Sequence, residues 1–323
     1  MKRIFIGAMA LCLMGFSSCG KDDNKPTYKK PIVQKEQNKQ EEQKPSKEEE
    51  SNFDEDLFYN TETDGDKIFT FPADYKTEKE GVKYGEVKYL DYESKTVGKR
   101  RPVVVMLPRN YSEKKEYPVV YCCHGIGQDH DQWRWEKMHI LVQNLVDQGK
   151  AKEMILIGCN NRARQDDKAN QGTPDEFSQS NTQAFDNFIN DFQKDLQPWV
   201  EENFSVATGR ENTAIVGFSM GGRVSLHLGL TLQETFGFIG AFCPAPGVFD
   251  LVPKSDFKLK NGLTTRIMIV GGKSDNVVWN NPEDYHKALE ENNVRHSWYK
   301  LSGGHDFNTV GHGFYNFAQF LFQ

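Results

Sequence analysis

From residue 117 onward, short continuous apolar runs alternate with longer segments patterned for helix, and that alternation leaves few architectures open. "YPVVYCCH" (117–124), "EMILIGCN" (153–160), "TAIVGF" (213–218), "FGFIGAFC" (236–243) and "RIMIVGG" (266–272) are apolar on successive residues. Runs of this kind predict strands covered on both faces. "RPVVVMLP" (101–108) and "RHSWYKL" (295–301) also read as strands, while "GEVKYLDY" (85–92) alternates, as a half-exposed antiparallel edge strand does. Helical patterns fall at 133–148, 181–203, 220–232, 282–292 and 308–322. Within 181–203, Phe185, Phe188, Ile189, Phe192, Leu196 and Trp199 recur at three- and four-residue steps and make one apolar stripe. Strands alternating with helices imply an α/β fold, with a mostly parallel twisted central sheet flanked by helices and joined by right-handed crossovers. Ligands of such sheets bind at the carboxyl ends of the strands.

The first fifty residues are built differently. Lys2 and Arg3 precede an apolar run from Ile4 to Phe16, too short to remain in a bilayer as a spanning helix, so residues 1–18 predict a secretory signal. The run ends in "FSSC", which resembles a bacterial lipobox with Cys19 as the acylated first residue, and the "KDD" that follows resembles the export signal of surface lipoproteins. Residues 20–52 are mostly Lys, Glu, Gln, Asn, Asp, Pro and Ser, with almost nothing to bury, so 19–52 reads as a lipidated cysteine and a disordered tether. The expectation is a cell-envelope lipoprotein of the outer membrane, surface-facing, held to the membrane by its N-terminal lipid alone. Mixed charge in the tether and a net charge of -6 argue against a nucleic-acid partner. Residues 53–323 remain for one α/β domain.

Six cysteines stand at 12, 19, 122, 123, 159 and 243, with no C-x-x-C pair. Cys122, Cys123 and Cys159 sit in apolar runs and read as small buried residues, although an oxidising compartment leaves a Cys159–Cys243 bridge open.

Chemistry concentrates in "AIVGFSMGGRVSLHLG" (214–229). Ser219 lies between Gly217 and Gly221, directly after a strand and directly before a helix, the context of a nucleophile elbow. A hydroxyl near neutral pH needs a base. His305, in the glycine-rich "KLSGGHDFNTV" after the last strand, is the best placed of eight histidines. His312 is the runner-up, while His227, His286 and His296 fall on helices or at a strand start. The base in turn needs a carboxylate, and Asp275 in "IMIVGGKSDNVVW" follows a buried strand between Ser219 and His305. Asp256, Glu283 and Asp284 share that interval, but in a polar loop or at a helix start. Oxyanion donors are expected from the amide of Met220 and from the loop after "VVYCC", at Ile126 or at Gly125 if the loop is shifted. The loop "HGIGQDHD" also offers metal-ligand side chains, but in a short loop these are more often solvated, and the chemistry asks for neither metal nor cofactor.

Together these segments resemble the esterase-D-type branch of α/β hydrolases, which includes the feruloyl and acetylxylan esterases of carbohydrate esterase family 1. "VVVMLPRNYSEKKEYPVVYCCHG", "YPVVYCCHGIGQDHDQW", "DFQKDLQPWVEENF", "GFSMGG" and "GGHDF" carry the resemblance, which runs over most of 84–322. It implies the α/β-hydrolase fold, a Ser219–Asp275–His305 triad, an oxyanion hole at Ile126 and Met220, and removal of feruloyl or acetyl groups from plant xylan through an acyl-enzyme. The substrate implied is an esterified oligo- or polysaccharide. Gly125, Trp133 and Asn160 are expected to contact it, with Trp135 and the polar segment 160–180 beside them, although core packing for the two tryptophans and a solvated loop for the segment remain open as alternatives. One departure is visible: Val310 stands where relatives commonly carry a tryptophan shortly after the histidine. Acyl transfer to sugars, cleavage of siderophore or thiol esters, and a non-catalytic glycan-binding lipoprotein are the rival readings.

Overall fold

A computed structural model of the chain describes residues 58–59, 61, 65–67 and 71–323. The expected signal sequence, Cys19 and the tether lie outside the described residues.

Among the described residues, eight strands form one sheet: β1 (Val87–Ser94), β2 (Lys99–Met106), β3 (Val119–Cys123), β4 (Ile155–Cys159), β5 (Thr213–Phe218), β6 (Phe238–Phe242), β7 (Arg266–Gly272) and β8 (Ser297–Leu301). Their order is β1-β2-β4-β3-β5-β6-β7-β8. β1 and β2 pair antiparallel, as do β2 and β4. Every pair from β4 across to β8 is parallel. The alternating pattern of 85–92 therefore marks an edge, as its composition suggests, and β3 to β6 are buried at every residue. Burying one Val, Ile, Leu or Phe contributes roughly 1.5–3 kcal/mol, so a slip that exposes such a strand is heavily disfavoured.

The chain starts its parallel sheet in the middle. It runs from β3 out to β4, then returns across β3 to β5 and continues outward to β8. Loops leaving β3 and β5 thus diverge to opposite sides and open a crevice at their carboxyl ends. The register Cys123↔Gly217 sets the loop after β3 directly beside the one after β5.

Among the described residues the α-helices include α1 (Gln132–Trp135), α2 (Met138–Asp147), α3 (Gln179–Asp186), α4 (Phe188–Asp191), α5 (Gln197–Asn203), α6 (Met220–Thr231), α7 (Asn281–Glu291) and α8 (Phe307–Phe320). The expected helix 133–148 is two, because Lys137 takes the left-handed conformation (φ 62) between α1 and α2. The expected helix 181–203 starts earlier, with Ser178 accepting the Asn181 N–H as a cap, and passes through a π-helical turn at Phe192–Leu196. Pro198 follows in the first turn of α5; lacking an N–H, it cannot close the regular bond to the carbonyl four residues back.

One buried ion cluster shapes the loop after β4. Arg101 on β2, fully buried, bonds Asp167 at 3.0 Å, Asp191 at 2.5 Å, and the carbonyls of Asn160 (2.6 Å) and Arg162 (2.9 Å). A guanidinium out of water must be paired, and these partners fix where the chain leaves β4.

Candidate active site

Ser219 closes β5 and opens α6 with φ 57 and ψ −117, a conformation a non-glycine residue rarely adopts. The surroundings hold it there: its N–H donates to the Phe242 carbonyl at 3.0 Å, and its own carbonyl accepts the Ala245 N–H at 3.0 Å. The flanking glycines are required by close approach. A Cβ on Gly217 would sit 2.1 Å from the Gly221 carbonyl oxygen, and one on Gly221 would sit 2.1 Å from that of Cys123.

His305 lies in the loop between β8 and α8, and Asp275 in the loop after β7. His305 Nε2 is 2.9 Å from Ser219 Oγ, and His305 Nδ1 is 2.8 Å from Asp275 Oδ2. A carboxylate can only accept, so Nδ1 carries the hydrogen and Nε2 is free to take the serine proton. Asp275 Oδ1 accepts the Val277 and Val278 N–H groups at 2.9 and 3.1 Å. Burial works to raise the Asp275 carboxyl, but its bond to His305 and these two amides outweigh it and hold the group below the usual carboxylate range. The Asp275 side chain is 1 % exposed and the His305 side chain 12 %, so the acid is shut away while the base keeps an opening. Phe218 lies against the imidazole, ring centroids 4.6 Å apart.

Loop 124–127 lies on the other side of the serine, where a Cβ on Gly125 would touch Ser219 Cβ at 3.5 Å. Its position is set by side chains that the sequence did not single out. Asn161 accepts the His124 N–H at 2.7 Å and donates to the His124 carbonyl at 3.1 Å. Gln132 Oε1 accepts the Gly125 N–H at 2.8 Å. That bond occupies the Gly125 amide, so it is not free to face an oxyanion. Met220 is the first residue of α6, where an N–H has no partner within the helix. Burial pushes His124 down to about 4, so its ring is neutral beside the loop. Asn161 and Gln132 carry a signal only in hindsight: each is a polar residue next to an apolar strand or helix start.

Two expected substrate contacts are corrected. Trp133 is 1 % exposed, donates from Nε1 to the Cys123 carbonyl at 2.9 Å, and packs edge-on against Phe307 and Phe314; it is a core residue behind the loop. Asn160 is also buried, with Nδ2 donating to the Asp167 carbonyl at 2.9 Å, and cannot reach a sugar. Gly125 serves the loop backbone. Val310 is fully buried in α8 and packs in the core. Segment 160–180 is laced in place: Asn170 and Gln171 N–H groups donate to the Gly127 carbonyl at 3.1 Å. Arg162 Nη2 pairs with Asp175 at 2.9 Å. Trp135, Phe177 and Trp279 stand exposed at 67, 77 and 71 %.

Cys122, Cys123, Cys159 and Cys243 are free thiols. Cys159 ends β4 and Cys243 follows β6, three strand spacings away or roughly 14 Å, beyond disulfide reach. His312 stacks on Phe71, and His286 and His296 bond each other at 2.7 Å, while the histidine bonded to Ser219 is His305. Among the described residues, the one cluster of metal-ligand type is Cys243, Asp275 and His305. Two of its members are already joined by a proton.

The family model for esterases, described as "Putative esterase", matches residues 94–323, well over half of the chain. The chain belongs to this esterase family. The esterase is 37% identical to a CE1 ferulic acid esterase from Anaeromyces mucronatus in complex with ferulic acid, over 78% of this chain and 96% of that one, with a TM-score of 0.71. The same fungal enzyme without substrate matches at 35% identity over 81% of this chain and 98% of that one, TM-score 0.72. An "Endo-1,4-beta-xylanase/feruloyl esterase" of Xylanibacter ruminicola is 24% identical over 267 residues, which are 77% of this chain and 33% of that protein. This esterase thus spans about a third of that relative's length.

Proposed function

We propose that this esterase removes feruloyl groups from plant cell-wall polysaccharide, by a serine mechanism with a covalent acyl-enzyme. The observation that carries the proposal is the continuous hydrogen-bonded chain Ser219 Oγ–His305–Asp275, 2.9 and 2.8 Å, at the carboxyl ends of the strands. His305 takes the Ser219 proton as Oγ attacks the ester carbonyl. Negative charge then develops on the carbonyl oxygen, within reach of the Met220 and Ile126 amides, and His305 passes the proton to the departing sugar oxygen. Water repeats the sequence on the acyl-enzyme and releases the acid. Asp275 keeps the imidazole in the required tautomer and stabilises its charged form.

Feruloyl is placed ahead of acetyl because the relatives at 35 and 37% identity are ferulic acid esterases. The test is hydrolysis of methyl ferulate and p-nitrophenyl acetate by residues 53–323, beside Ser219→Ala. Wild type should cleave, and the variant should lose about 10⁴–10⁶ in kcat. A preference for the acetyl ester reassigns the acyl group; no cleavage of either ester by folded protein overturns the reading.

For the N-terminus, the proposed role is a lipid anchor at Cys19 following signal removal, supported by the sequence pattern. Cys19→Ala should release the protein from the membrane fraction and abolish labelling by radioactive palmitate. Membrane retention by the variant would defeat the anchor.

A further inference from the structure

Cys243 directly follows β6 with φ 47, a left-handed conformation that favours glycine and costs a side chain on the order of 1 kcal/mol. It is fully buried, and its N–H is tied to the Val270 carbonyl at 2.7 Å. Glycine would occupy this position without strain, so a thiol here calls for a reason. Its sulfur, a carboxylate oxygen of Asp275 and a ring nitrogen of His305 all lie within 4.8 Å of one another.

The hydrogen-bond capacity of Asp275 supplies that reason. Oδ1 takes two backbone N–H groups and Oδ2 takes the His305 ring hydrogen. A carboxylate offers about four acceptor sites, which leaves one for a further donor. We propose that Cys243 is a positioning residue for the ester hydrolysis: its S–H donates to Asp275, fixes the rotation of the carboxylate and tempers the charge His305 feels. The inference rests on the esterase reading above.

Burial, and after it the negative charge of Asp275, pushes the Cys243 thiol well above its ordinary range. It therefore stays protonated at neutral pH, a donor and not a second nucleophile. Asp306, at the start of α8, is the other carboxylate whose charge reaches it, and acts in the same direction.

The experiment is steady-state hydrolysis of p-nitrophenyl acetate across about pH 5 to 9, where the acid limb of kcat/KM reports the base in free enzyme. Wild type is compared with Cys243→Ser, Cys243→Ala and Cys243→Gly, the last suited to the backbone even if alanine folds poorly. Alanine and glycine should lower kcat roughly three- to tenfold at unchanged KM, the loss of one weak donor. Their acid limb should move up by about half a unit, a threefold change in the imidazolium equilibrium, because an untempered carboxylate favours the charged ring. Serine, which keeps an O–H donor, should retain both kcat and limb. An acid limb that stands still in all variants, or a serine variant as impaired as alanine, assigns the thiol to packing and overturns the proposal. Wild-type protein that cleaves no ester overturns the esterase reading and this inference with it; active wild type with indifferent variants overturns this one alone.

Discussion

Asn161 grips the backbone of His124 at both ends, its Oδ1 accepting the N–H at 2.7 Å and its Nδ2 donating to the carbonyl at 3.1 Å. The amide expected to face the oxyanion, Ile126, lies two residues on. Asn161→Ala should strand two buried backbone groups and cost about 1–3 kcal/mol for each left unpaired. The loosened loop should also lower kcat roughly ten- to a hundredfold, less than deletion of a donor, with KM little changed. Urea unfolding and steady-state kinetics together check it; a variant with lower stability but wild-type kcat would show that the loop holds without Asn161.

The buried Trp133 gives a sharper division between binding and support. Trp133→Phe keeps most of the ring contacts with Phe307 and Phe314 but leaves the Cys123 carbonyl without its indole donor. Stability should drop by about 1–2 kcal/mol and KM for feruloylated saccharide should stay put. A severalfold rise in KM at unchanged stability would return Trp133 to the substrate.

That residue also shows how far a sequence reaches. Ser219, His305 and Asp275 were legible because each sits where a strand ends, and strand ends follow from apolar runs and glycines. The structure does bring the three into one hydrogen-bonded chain. β5 and β7 occupy the residues their apolar runs mark. β3 and β4 stop one or two residues short at each end, since pairing rather than hydrophobicity sets the limit. Support residues were not legible. Asn160 and Asn161 are adjacent and chemically identical, and only the direction of the chain leaving β4 decides that Asn161 turns to the loop. Arg101 sets that direction from another strand, a long-range ion cluster that no local pattern announces.

Buried histidines should make the fold acid-sensitive. Burial lowers His124, His227 and His296 from 6.5 to about 4 each. Folded, they resist protonation; unfolded, they accept it, so stability is present above about 6.5 and is lost as pH falls toward 4. Three such groups give a limiting slope of about 4 kcal/mol per pH unit. Asp66 and Glu283, each held at about 2, extend the loss below their unfolded range. The urea midpoint should fall steadily from pH 7 to 5, and His227→Leu should flatten that fall by about one proton's worth. A midpoint level down to pH 5 would contradict the assignment of these rings as neutral.

Two glycines on α6 separate backbone from side-chain crowding. A Cβ on Gly221 meets the Cys123 carbonyl oxygen at 2.1 Å and that of His124 at 2.8 Å, and neither can yield without moving β3 or the loop beside Ser219. A Cβ on Gly229 meets only side-chain atoms, Ile239 Cδ1 at 2.4 Å and Cγ1 at 2.5 Å, so the fully buried Ile239 must change rotamer while the backbone can stay where it is. Gly221→Ala should therefore cost about 3 kcal/mol or more and depress kcat, whereas Gly229→Ala should cost about 1–2 kcal/mol, partly offset by the helix preference for alanine. Measured together, the two should also part in kinetics: only the first displaces the serine from His305. Equal losses in stability and unchanged kcat in both would mean that the elbow tolerates a methyl group, and the close approach of β3 to α6 would not be what holds Ser219 in place.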